Sequence, residues 1–106
     1  MATTYEIGQT ADASTEVSLY TVPVSKICKF KVLVVNRAGT AATFRVAVVP
    51  DGVATANQHY VAYDENIDAN ASKAGPVLTA NASDVIRVLG STANITFGLY
   101  GIVQDE

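Results

Sequence analysis

Tryptophan is absent from this 106-residue chain, and cysteine and histidine occur once each. One cysteine excludes an intrachain disulfide, and Cys28 with His59 cannot supply the closed nitrogen and sulfur set of a structural zinc site. Charge is also scarce: 16% of residues are Asp, Glu, Lys or Arg, and the formal net charge is -3. The seven Lys and Arg are scattered, so no basic field for nucleic acid arises. No apolar run approaches the ~20 residues of a membrane-spanning helix. Residues 1–14, MATTYEIGQTADAS, have neither the basic start nor the apolar stretch of a secretory signal, so the chain is expected to work in water without export or membrane contact. A sustained helical period is missing as well.

What remains is β-structure. Short alternating blocks are separated by Gly, Pro, Asn and Asp, the pattern of an antiparallel β-sandwich, jelly-roll-like or immunoglobulin-like, with about seven strands. The expected strands are 15–22, 27–36, 42–49, 59–63, 77–80, 84–89 and 93–103. Residues 1–14 are polar apart from Tyr5 and Ile7 and are expected to form an extended N-terminal arm, leaving 15–106 as one domain. A chain of this size buries roughly two-thirds of its unfolded surface, enough for a core without staples.

The densest stretch is Ile27 to Val49, two apolar strands around Asn36-Arg37-Ala38-Gly39-Thr40. Paired as a hairpin, Val34 meets Phe44, Val32 meets Val46 and Phe30 meets Val48, giving one apolar face. A one-residue slip would bury Lys29, Lys31 and Arg45, which the cost of burying unpaired charge forbids. The even-numbered residues from Cys28 to Val48 are therefore expected to be dry, with Cys28 a small buried hydrophobe. Leu33 and Val35 fall on the opposite, mixed face. Two apolar residues side by side there need cover, by the N-terminal arm, a loop or a neighbouring subunit. Tyr5, Ile7, Leu33 and Val35 are accordingly the candidate assembly interface.

Several segments resemble, in order, small virion structural proteins of tailed bacteriophages: Leu19-Tyr20-Thr21-Val22-Pro23, Val34-Val35-Asn36-Arg37, Ala42 to Val48, His59-Tyr60-Val61-Ala62-Tyr63-Asp64, Ser83 to Val88 and Asn94 to Gly101. The resemblance spans 15–103 and implies an all-β virion component present in many copies, either decorating or cementing the head shell or built into the tail. Its implied partners are the major capsid protein, other virion proteins and further copies of itself. It implies no catalytic residues and no cofactor.

Residues able to carry chemistry are few. His59 is the one general base of its kind, and strand parity separates it from Asp64. Asp64-Glu65-Asn66-Ile67-Asp68 begins like a calcium loop, but Ala69 and Gly75 stand where such a loop needs Gly and Glu, so a solvated acidic turn is expected. Three sequons, at Asn70, Asn81 and Asn94, read as turn and strand-edge residues. Tyr5, Tyr20, Tyr60, Tyr63 and Tyr100 suit a protein interface or a sugar-binding surface, since each has an apolar body and a polar tip. The sequence thus points away from an enzyme and toward a capsid decoration or cement protein. The alternative is a tail or fibre component carrying a carbohydrate or receptor site.

Overall fold

The computed structural model describes residues 15–92 and 94–105, and the backbone of residues 3–10. Among them run nine strands: β1 (Thr3–Thr10), β2 (Val17–Thr21), β3 (Lys26–Asn36), β4 (Ala42–Val49), β5 (Tyr60–Ile67), β6 (Ser72–Ala74), β7 (Leu78–Ala80), β8 (Val85–Gly90) and β9 (Ile95–Asp105). Every pairing is antiparallel. One sheet has the order β1-β9-β3-β6, with β7 also on β3, and the other runs β2-β8-β4-β5. The fold is the all-β, antiparallel two-sheet architecture read from the sequence.

Two strands exceed the expected seven. Thr3–Thr10, expected within an extended arm, runs along β9 from Thr3 opposite Gln104 to Thr10 opposite Phe97. Its sequence signal is weak because only Tyr5 and Ile7 are apolar; the pairing is a backbone ladder, which asks little of side chains. The other addition is β6, whose three residues Ser-Lys-Ala carry no apolar alternation and pair with Leu33–Val35.

The expected β3–β4 hairpin does not form. β3 pairs with β9, β6 and β7, whereas β4 pairs with β8 and β5, so the 37–41 connection crosses from one sheet to the other. The inward parity survives this correction. Cys28, Phe30, Val32 and Val34 from one layer and Ala42, Phe44 and Val46 from the other are all buried in a single core. Phe44 meets Phe97 of the opposite sheet edge to face, with ring centroids 6.3 Å apart, a favourable aromatic geometry. The wall breaks at the crossing, where Ala38 is half-buried and Thr40 exposed, and again at the end of β4: Val46 and Ala47 are both buried, Val48 is half-buried, and Val49 takes the interior. The β4–β5 register shifts between Val46 and Ala47, and such irregularities locally bend and twist a strand.

Asn36 makes the crossing possible. Among the described residues it is the buried polar side chain of the core, 1% exposed. Its Nδ2 donates to the carbonyls of Thr40 (2.9 Å), Asp68 (3.2 Å) and Ile67 (3.4 Å), and its Oδ1 accepts from the Ala38 N–H at 3.0 Å. One amide therefore fastens the β3–β4 crossing to the β5–β6 turn. Backbone bonds from Asn36 N–H to Ala71 O and from Asn70 N–H to Ala38 O complete the knot.

At Gly101 the β9 and β3 backbones approach closely. A Cβ there would lie 2.1 Å from the Lys29 carbonyl oxygen and 2.7 Å from Phe30 Cα, so β3 and β9 can pack this way only around glycine.

Candidate interaction surfaces

Leu33 and Val35 are half-buried on the outer face of the β1-β9-β3 sheet. Their register neighbours are small: Gly98 and Ala74 flank Leu33, and Thr96 and Ser72 flank Val35. The Tyr100 ring lies back over Gly98, the register partner of Leu33, where an added Cβ would meet it at 2.8 Å. β1 lies beyond β9 in the plane of the sheet, with Tyr5 opposite Ile102 and Ile7 opposite Tyr100, and its backbone does not run over β3. The side chains of Tyr5 and Ile7 lie outside the described residues.

The second sheet carries a polar and aromatic group at its edge. β5 bulges opposite Arg45, since Phe44 pairs with Glu65 while Val46 pairs with Ala62, and Asp64 takes a left-handed backbone at φ 48°. The bulge turns Asp64 toward Arg45, whose Nε and Nη2 donate to its two carboxylate oxygens at 2.6 and 3.2 Å. That hydrogen bonding, reinforced by charge attraction, holds the Asp64 carboxyl below its ordinary range and raises the Arg45 guanidinium. The guanidinium also sits 4.2 Å from the centre of the Tyr63 ring, and Tyr63 meets Tyr60 edge to face at 4.9 Å. Of the described tyrosines, only these two come together; Tyr100 is on the other sheet and Tyr20 packs against the core.

The acidic segment is thus a strand, not the solvated turn expected. Asp64 is committed to Arg45, Glu65 lies 3.4 Å from Lys73, and Asp68 accepts from Asn66 Nδ2 at 3.1 Å. Among the described residues no three His, Cys, Asp or Glu side chains gather as a metal site. His59 closes a 3-10 turn, its Nδ1 accepting the Ala56 N–H at 2.9 Å. The Nδ1 lone pair is therefore engaged in holding the backbone.

The seam between β5 and the β6–β7 segment opens into a cavity of about 130 Å³ floored by Val32, Val34, Phe44 and Val46. Lys73 bridges its lip, donating to the Asn66 carbonyl at 2.8 Å while facing Glu65. Val61 and Val77 are 48% and 61% exposed, and Val24, on the β2–β3 turn, is 77% exposed. Sequence reasoning missed these three valines and Asn36. For Val24 and Val77 the flanking residues gave the signal: Pro23-Val24-Ser25 and Gly75-Pro76-Val77 carry strand-breaking residues, where a large apolar side chain has no core to enter.

No family model and no curated protein matches the sequence. Solved structures with the same fold exist. A chain of the disulfide-linked pili that form Bacillus endospore appendages aligns over 98% of this chain and 87% of its own, with TM-score 0.63 and 14% identity. A chain from the acid-stable capsid of Helicobacter pylori bacteriophage KHP30 aligns over 97% and 87%, with TM-score 0.57 and 17% identity. One from infectious bursal disease virus, strain Gx, aligns over 95% of this chain but 31% of its own, with TM-score 0.50 and 11% identity. The likeness is one of fold. Cys28, fully buried, is not placed to link chains through a disulfide as in those pili.

Proposed function

We propose that this chain is a non-enzymatic structural subunit of a phage virion, bound to the head shell in many copies as a decoration or cement protein that spans neighbouring capsid subunits. The observation that carries the reading is the near end-to-end fold likeness to chains of a phage capsid and of a pilus, both built by repetition. Two features of the molecule support it. Its polar chemistry is spent on its own architecture, in the Asn36 knot, the Arg45–Asp64 pair and the His59 turn. Its exposed valines, Val24, Val53, Val61 and Val77, sit on loops and on the edge strand β5, where a partner can cover them.

The mechanism is linkage. A subunit that binds the assembled shell but not its separated parts stabilises the shell by mass action. Several weak contacts from one oligomer across a joint act at high effective concentration and bind far more tightly than any one alone. A second reading, a tail or fibre component, is favoured by the likeness to a filamentous appendage. Quantitative mass spectrometry of purified particles tests both. A copy number commensurate with the major capsid protein supports decoration, a handful per particle supports the tail, and absence from the particle overturns the virion reading.

A further inference from the structure

Each sheet edge is a row of backbone N–H and C=O groups able to template another strand, and most edges here carry a device that prevents it. β2 is five residues long, its register is interrupted between Ser18 and Tyr20, and Pro23 follows it. β5 bulges at Tyr63 and Asp64 and exposes two carboxylates, Asp64 and Glu65. β6 and β7 have three residues each, and β6 carries Lys73. β1 has none of these defences. It pairs on one side with β9 over eight residues in unbroken register, and it contains no proline, no lysine and a single charge, Glu6. Its ladder to β9 engages alternate residues, so the remaining N–H and C=O groups of Thr3–Thr10 point away from β9, toward the open edge.

We infer that this edge pairs with the β1 edge of a second copy of the chain, antiparallel about a two-fold axis, joining the two β1-β9-β3 sheets into one continuous sheet. The occupant follows from self-complementarity. An antiparallel two-fold passes through a directly opposed pair of identical residues; centring it on Ile7 sets Ile7 against its copy, Glu6 against Gly8 and Thr4 against Thr10, so no charge faces a charge, whereas centring it on Glu6 would oppose two carboxylates. An isologous contact of this kind closes on itself and gives a dimer, not a filament. The inference goes beyond the virion reading and is tested in solution without a particle, so either can fail alone.

The test uses the full chain in size-exclusion chromatography with light scattering and in hydrogen exchange, from about 1 µM to about 500 µM, the range over which a weak edge-to-edge dimer assembles. The expected mass rises to twice 11.1 kDa, and in the same interval consecutive rather than alternate amides of Thr3–Thr10 become protected. Ile7→Pro and Gly8→Pro divide the two sides of the strand, because neighbouring amides face opposite ways and proline removes one. One variant loses dimerisation while keeping β1 on β9; the other loses protection of β1 itself. A monomer across the whole range, an odd-numbered oligomer, or an unchanged oligomer mass in both proline variants overturns the proposal.

Discussion

Replacing Asn36 by alanine removes the amide that fastens the sheet-to-sheet crossing to the β5–β6 turn. The side chain makes two well-formed donor bonds, to Thr40 O and Asp68 O, a longer one to Ile67 O, and accepts one from Ala38 N–H. A satisfied bond of this kind is worth about 1 kcal/mol net, and a partner left buried without one costs ~1–3 kcal/mol. Water reaches some of the part-buried partners, so the expected loss is about 3 kcal/mol, a large share of the ~5–15 kcal/mol that holds such a domain together. For a domain of this length that lowers Tm by roughly 10–20 °C. Asn36→Asp sharpens the test. At neutral pH it turns a carboxylate oxygen toward three carbonyl oxygens, so it destabilises more than alanine, and the fold raises the new carboxyl's pKa above its unfolded value. A raised pKa favours the fold in acid, so the deficit of Asn36→Asp relative to the parent shrinks as pH falls from 7 toward ~4. Urea denaturation at both pH values, followed by circular dichroism, gives these quantities. An Asn36→Ala protein within ~0.5 kcal/mol of the parent, the spread of an ordinary surface change, refutes the reasoning.

Other perturbations test separate parts of the account. Gly101→Ala forces backbone apart at Lys29 and Phe30 and is expected to prevent native β3–β9 pairing, whereas Gly98→Ala meets only the Tyr100 ring, which can swing, and should stay folded; hydrogen exchange on β9 compares the two. Phe44→Ala, which opens a void against Phe97, should cost ~3–5 kcal/mol in a chemical melt. Because Arg45 depresses the Asp64 pKa, the pair's contribution is present above the unfolded carboxylate value near ~3.9 and is lost as pH falls through the lower folded value. An Asp64→Asn variant should therefore differ from the parent at pH 7 and converge with it in acid. The pair is exposed, so the difference is small and shrinks in high salt.

The inward parity of β3 and β4 was legible in the sequence, because alternating Val and Phe with Lys29, Lys31 and Arg45 between them admits one buried face. Their pairing was not. Two strands facing each other across a sandwich and two strands side by side in one sheet bury the same alternate residues, so the pattern of 28–48 fits a crossing as well as a hairpin. The deciding residue was Asn36, and an asparagine before Arg-Ala-Gly-Thr looks like ordinary turn chemistry until the β5–β6 turn is seen against it. β1 escaped notice because its partner is 87 residues or more away in register terms, as in Thr10 opposite Phe97, and local alternation says nothing about such pairings. The Arg45–Asp64–Tyr63 group was hidden for a related reason: regular strand parity could not anticipate a bulge that re-aims Asp64.

In the proposed role this sandwich is a repeated piece of a particle's outer architecture. Electron cryomicroscopy of the intact virion, with the protein located in density, tests it most directly. The expected result is sandwich-shaped density on the shell surface, repeated with the capsid lattice and bridging neighbouring capsid subunits. A shell surface without that density, in particles that contain the protein elsewhere or not at all, would contradict it.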